Sequence, residues 1–215
     1  FIQTIKNIFK IEDLRARILF TLGIVALYRL GKYVTLPGID PSMLENLRSQ
    51  TSSGIMGLLD MFSGGALSQL SVFALGIMPY INASIILQLL TVVIPHLEKL
   101  HKEGEEGRKK ISQYTRYLTV VLAFIQGIGM VVGVSGSMQN PGPIAFVMAA
   151  LTITAGTTFL MWMGEQITER GIGNGISLLI FAGIVSRLPS GAASLGEYLN
   201  AGTINIFSLI VLVII

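Results

Sequence analysis

Between Val72 and Ile94 the chain runs without one charged side chain, and thirteen of those residues are Leu, Ile, Val or Phe. Each of the thirteen favours membrane insertion by roughly 0.3–0.6 kcal/mol, which Asn82 and Gln88 cannot overturn. About 20 apolar residues at ~1.5 Å each cross the ~30 Å of a bilayer's hydrocarbon. Comparable runs cover Ile18–Leu36, Tyr117–Val134 and Ile144–Met163, with a short fifth at Ile176–Leu188 and the start of a sixth at Ile204–Ile215. Of 215 residues, 52% are hydrophobic and 13% charged, about half the charge of an ordinary soluble domain. The composition excludes a disordered chain and predicts an all-α, polytopic helical membrane protein.

Charge placement orients the spans. If they alternate, one side collects Lys6, Lys10, Arg15, Arg17, Lys99, Lys102, Arg108, Lys109, Lys110, Arg116 and Arg170, and the other only Arg29, Lys32, Arg48 and Arg187. The positive-inside rule puts the first group, and the N-terminus, in the cytoplasm. The net charge of +3 is therefore a topology signal rather than a nucleic-acid footprint, and no DNA partner is expected. Arg29 and Lys32 lie near the outer end of the first run, where they can snorkel or face protein. The residues after Tyr28, Arg-Leu-Gly-Lys, hold no small-x-small site, against a cleaved signal peptide. The Lys102–Lys110 stretch also holds Glu103, Glu105 and Glu106 and follows Glu98, which suits a solvated hairpin between helices; a docking loop for a cytosolic partner is the alternative.

Nothing points to an enzyme, a metal or a cofactor. The chain has no cysteine and two histidines, His96 and His101, too few for a metal cage. It has no P-loop, HExxH or nucleophile elbow, and Glu165, beside the interface residue Trp162, reads as a charge at a helix end.

Four features exceed the needs of a plain bundle. Gly54–Ser71, GIMGLLDMFSGGALSQLS, is too short and polar to span and lacks Lys and Arg; it reads as a re-entrant element rather than a surface helix. Pro79 is expected to kink the second span, with Ile77 and Ile81 one turn apart on a shared face. Gly129 and Gly133 form a GxxxG pair that permits close helix approach, and Gln126 is a buried polar group in the same run. Gly171, Gly173 and Gly175 lead into a fifth span of only ~20 Å, and short glycine-interrupted spans often line a pathway through a membrane.

Three stretches, SVFALGIMPYINASIILQLL (71–90), EEGRKKISQYTRY (105–117) and TTFLMWMGEQITERGIGNGISLLIFAGIV (157–185), closely resemble the SecY family of bacterial protein-conducting channel subunits. The resemblance implies the first half of a ten-helix inverted-repeat channel with a re-entrant plug. That channel passes unfolded secretory polypeptides across the bacterial plasma membrane and releases transmembrane segments sideways into lipid. On this reading, residues 1–17 are a cytoplasmic segment, 18–188 the five-span half, 189–203 an extracytoplasmic loop and 204–215 the start of a truncated sixth span. Phe1 in place of Met and the unterminated apolar end fit a chain cut at both ends. The family motif puts the pore ring on Ile77, Ile81 and Ile180, and the lateral gate on Asn82 and Gln126. It puts the plug on Ile55, Met56, Gly57, Leu58, Leu59, Asp60, Met61, Phe62, Ser63, Gly64, Gly65, Ala66, Leu67, Ser68 and Gln69. Implied partners are the SecE and SecG membrane subunits, the SecA motor ATPase, the ribosome, signal sequences and nascent polypeptides, and the lipid bilayer.

A secondary transporter with inverted repeats is the competing class, but it would want an ionisable residue at mid-bilayer. A structural subunit without a pore would have no use for the plug-like segment. The charge bias makes a direct prediction. Of single cysteines at Ser49 and Ser112, an impermeant thiol reagent added to intact cells should label only the one at 49; labelling of 112 alone would invert the topology.

Overall fold

The computed structural model describes residues 11–39, 57, 60–138, 142–189 and 193. The elements bounded within these residues are α1 (Glu12–Gly31), α2 (Met78–Val93), α3 (Pro95–Lys102), α4 (Glu105–Gly133), the 3₁₀ turn Ser135–Ser137, α5 (Pro143–Arg170) and α6 (Gly175–Val185). Among them there is no strand, only two isolated antiparallel bridges, Thr35 with Ser71 and Ile39 with Met138. The expected all-α, multi-span architecture is what forms. The expected N-terminal segment over 1–10, the loop over 190–203 apart from residue 193, and the sixth run lie outside the described residues, as do Ile55, Met56, Leu58 and Leu59 of the expected plug.

By length and composition, α4 and α5 can each cross a bilayer, α2 with α3 forms a broken pair bent by 101°, and α6 is a shorter apolar helix. The helix ends differ from the apolar runs because hydropathy marks where hydrocarbon is crossed, not where hydrogen bonding stops. Thus α4 begins at Glu105, with Glu105 and Glu106 in its first turn where the macrodipole favours acidic groups. What reads as a hairpin loop in the sequence is therefore mostly helix, α3 and the start of α4, joined through Gly104 at φ +77°. On α3 the exposed Glu98 pairs with Lys102; that hydrogen bond, then the lysine's charge, holds the Glu98 carboxyl below its ordinary range.

The second run corrects the sequence reading most. Its helix starts only at Met78, so Pro79 sits in the first turn and is no mid-helix kink. A proline there sacrifices no helical hydrogen bond. The sharp bend comes instead at Ile94, extended at ψ 115° ahead of Pro95. Upstream, Val72–Ile77 is a series of turns with Gly76 at φ +57°.

At the centre lies α5, packed on α1, α4 and α6, with Ile153, Leu160, Met163 and Ile167 fully buried. Two apolar clusters flank it: one joins Ile24, Tyr28, Ala66, Phe73 and Ile77 to Leu160, Met163, Ile167 and Leu179. The other joins Leu36, Ile39, Leu70, Val131 and Met138 to Ala149, Ala150 and Ile153. Rings form a ladder outward from the first cluster, Tyr28 to Phe73 at 6.1 Å, Phe73 to Phe159 at 6.3 Å and Phe159 to Trp162 at 5.6 Å.

Close approach runs through glycines other than the expected pair. A β-carbon at Gly129 or Gly133 would meet nothing within 4 Å, so GxxxG is not a contact motif among the described residues. One at Gly156 would strike the carbonyl of Val72, and one at Gly164 the side chain of Ile176. Gly156→Leu should therefore destabilise the fold by about 3 kcal/mol, the upper end for overpacking. Gly129→Ala should be neutral or stabilising by about 0.5–1 kcal/mol, since glycine weakens a helix. Thermal unfolding in detergent with protease protection measures both.

Candidate functional site

Ile77 caps α2 in helical geometry, and its carbonyl accepts from the amides of Tyr80 and Ile81 at 3.0 and 3.1 Å. That fixes Ile81 one turn on. Ile180 lies in the middle of α6, whose start is tied down twice. The Asn174 side chain caps it by accepting from Ser177 N at 3.2 Å, and Gly175 N donates to Thr168 Oγ1 on α5 at 2.9 Å. Ile77 is buried within the cluster built around Ile24, Tyr28, Phe73 and Leu179, and Ile81 and Ile180, half-buried, pack against that cluster. Residues 77, 81 and 180, a hundred apart in sequence, thus share one apolar centre.

Against this centre lies the folded-back segment 60–77. Asp60–Phe62 is helical and the rest turns on itself. Gly65 N donates to Asp60 O at 2.8 Å, Ser71 N to Ala66 O at 3.0 Å, and Ser63 Oγ to Asp60 O at 3.0 Å. Gly64 and Gly65 both take positive φ, +65° and +89°, which side chains resist. Leu70, at φ 43° and buried, accepts that strain while its carbonyl takes the amide of Leu36 at 2.9 Å. From α1, Tyr28 Oη donates to Ser63 O at 3.1 Å and Arg29 Nη1 to Gly64 O at 3.3 Å. On the α6 side Gly183 leaves room for the segment's backbone: a β-carbon there would sit 3.1 Å from Phe62 O and 3.4 Å from Gly64 N.

The segment's one carboxylate is held inside. Asp60, 3% exposed at its side chain, pairs with Arg187 just past α6, and its Oδ1 accepts from Ser68 N at 2.8 Å. A β-carbon at Gly65 would lie 2.8 Å from Arg187 Nη2 and 3.1 Å from Lys32 Nζ. Arg29, Lys32 and Arg187, three of the four cations on the sparsely charged side, thus converge on Gly64–Gly65. Sequence reasoning placed Asp60 within a segment and these cations on one side but did not join them. The signal available was a single acidic residue in a stretch otherwise free of charge, with cations interrupting a neighbouring span.

Other expected residues are less engaged. Asn82 is exposed on α2 and Gln126 half-buried on α4, and no hydrogen bond joins them among the described residues. Gln88, also exposed, donates to Ser84 Oγ at 3.4 Å. Glu165 pairs with Arg116 at 2.7 Å, joining α5 to α4, which agrees with a charge at a helix end. No group of His, Asp and Glu able to hold a metal occurs among the described residues.

The family model for SecY matches residues 71–215. The chain belongs to the SecY family. It is 54% identical over 203 residues to the protein translocase subunit SecY of Pseudomonas aeruginosa, covering 93% of this chain and 46% of the relative. With the SecY subunit of Escherichia coli it shares 50% over 209 residues, covering 94% and 47%. The chain spans about half the length of these curated relatives. Its fold resembles a structure described as that of a protein conducting channel, at a TM-score of 0.62 and 21% identity, over 87% of this chain and 41% of the other. A canine ribosome-channel complex containing Sec61 matches equally. The seat of segment 60–77 on Gly183 can be tested alone. Gly183→Val should push back the Phe62 carbonyl, and hydrogen exchange at the amides of Gly65, Ser68 and Ser71 should rise about tenfold, for roughly 1.4 kcal/mol of lost seating.

Proposed function

We propose that this chain is the pore-bearing first half of a SecY protein-conducting channel, which passes unfolded secretory polypeptides across a bacterial plasma membrane and releases transmembrane segments sideways into lipid. The observation that carries the reading is the shared apolar centre of Ile77, Ile81 and Ile180 with a non-helical segment seated beside it. A constriction lined by isoleucine holds water and ions poorly, so it seals by dewetting, yet flexible side chains can fit round a moving polypeptide. Segment 60–69, with the residues before it, acts as the plug at rest. Asn82 and Gln126 act at the lateral gate, where polar groups set how readily the two walls separate.

The remaining wall belongs to a second half completing ten helices, which fits a chain half as long as its relatives. The N-terminus faces the cytoplasm, on the charge asymmetry of the sequence. SecE, SecG, SecA, the ribosome and signal sequences are the partners, and the chain does no chemistry of its own. The relatives' role as protein translocase subunits, in name, and the channel structures of the same fold support this assignment.

The test is electrical. In the complete protein, Ile77, Ile81 and Ile180 changed singly to Asn should let the constriction wet and raise ion leak at equal protein amount. Leu89, 64% exposed on α2, and Ile86, 38% exposed, are the lipid-facing controls; Leu90, which helical spacing also points outward, is half-buried and unsuitable. Polar changes at the controls should lower insertion without opening a conductance. Equal leak from both sets, or none from the first, would make the three isoleucines packing residues.

A further inference from the structure

Ile180, Gly183 and Arg187 fall at i, i+3 and i+7, so they share one face of α6 and the turn that continues it. The backbone supports that continuation, with Arg187 N donating to Ile184 O at 3.0 Å. The three positions do different work on that face. Ile180 joins the apolar centre, Gly183 admits the backbone of Phe62 and Gly64, and Arg187 pairs with Asp60. The contacts from α1 are of another kind, since Tyr28 and Arg29 donate to main-chain carbonyls, which any stretch of polypeptide could present. Asp60 is the only charged side chain between residues 60 and 77.

We propose that Asp60 and Arg187 form an electrostatic latch that holds the plug against the face of α6 carrying the seal residue Ile180. The proposal rests on the pore-and-plug reading above. A buried ion pair adds little net stability while closed, but separating it strands a desolvated carboxylate. Asp60 sits at that limit: 3% exposed when paired, with Ser68 N as a second partner from within the plug itself. A small displacement therefore costs much, whereas a plug that leaves fully returns Asp60 to water and recovers its hydration. The pair favours two end states, seated and released, over any position between them.

The experiment uses the complete channel in native membranes, with a single cysteine at the fully buried Ala66 and an impermeant maleimide as probe; labelling is normalised to the amount reached after denaturation. Asp60→Asn keeps the side chain's size and an acceptor for Ser68 N, and Arg187→Gln alters a residue about a third exposed, so a folding defect in one does not remove the other as a test. Arg187→Gln should speed labelling about tenfold or more, since it strands the desolvated carboxylate, and Asp60→Asn should speed it less, since only the partly exposed guanidinium loses a partner. The double variant should be no faster than the quicker single one, and Arg187→Lys should stay near the parent rate. Unchanged labelling in both single variants, or fully additive effects in the double, overturns the latch. Deleting Leu58–Leu67 separates the two hypotheses through ion leak. If the deletion leaks while Asp60→Asn and Arg187→Gln label at the parent rate, the plug stands and the latch falls. If the deletion does not leak, the pore-and-plug reading itself fails.

Discussion

Backbone that leaves helical geometry within an apolar bundle must find its hydrogen-bond partners inside the protein, because hydrocarbon supplies none. Segment 60–77 meets that constraint by three routes. Its amides and hydroxyls close tight turns on themselves, as Gly65, Ser68 and Ser71 do. Its ends pair with the stretch after α1, through Leu36 N to Leu70 O and Val72 N to Val34 O, both at 2.9 Å. The carbonyls of Ser63 and Gly64, left outward, are taken by Tyr28 and Arg29. Much of what surrounds the segment follows: cations late in α1, a glycine in α6, and two glycines in left-handed conformation where the chain reverses.

The helices supply the frame against which this irregular piece can be held. Because α5 is buried along so much of its length, it sets the positions of α1, α4 and α6 together. Its glycines let neighbours approach closely, the backbone of Val72 at Gly156 and the side chain of Ile176 on α6 at Gly164. Threonines along it return their hydroxyls to the preceding turn, as Thr154 does to Ala150 O and Thr168 to Gly164 O, so few polar groups need partners elsewhere. Thr157 is an exception among the described residues, with a buried hydroxyl that has no partner.

Helical type, and α4 and α5 as helices able to cross a membrane, were legible because an apolar run of membrane length has few other fates, and the short α6 was marked by the glycines before it. What the sequence could not yield was where helices begin and end. Val72–Ile77 looks as apolar as the helix that follows, and only Gly76 in left-handed conformation, with Pro79 in a first turn, separates turn from helix. Likewise the charged stretch after Gly104 reads as loop, although a helix of Glu, Lys and Arg in water is as well formed as one of Leu and Ile in lipid. The isoleucines came from family resemblance, since spacing alone relates Ile77 to Ile81 but not to Ile180. The pairing of Asp60 with Arg187 escaped altogether, because 127 residues separate them and local pattern carries no information about such a contact.

The ring ladder has a further consequence. Trp162 is the only tryptophan in the chain, and it stacks on Phe159, which stacks on Phe73 in the folded-back segment. Half-exposed on α5, this indole stands two rings from the irregular backbone and shares its surroundings with Phe159, which stacks on Phe73 at 6.3 Å. The ring contacts thus place an intrinsic chromophore within two rings of the segment, so that movement of Phe73 should alter the surroundings of the indole without any label attached.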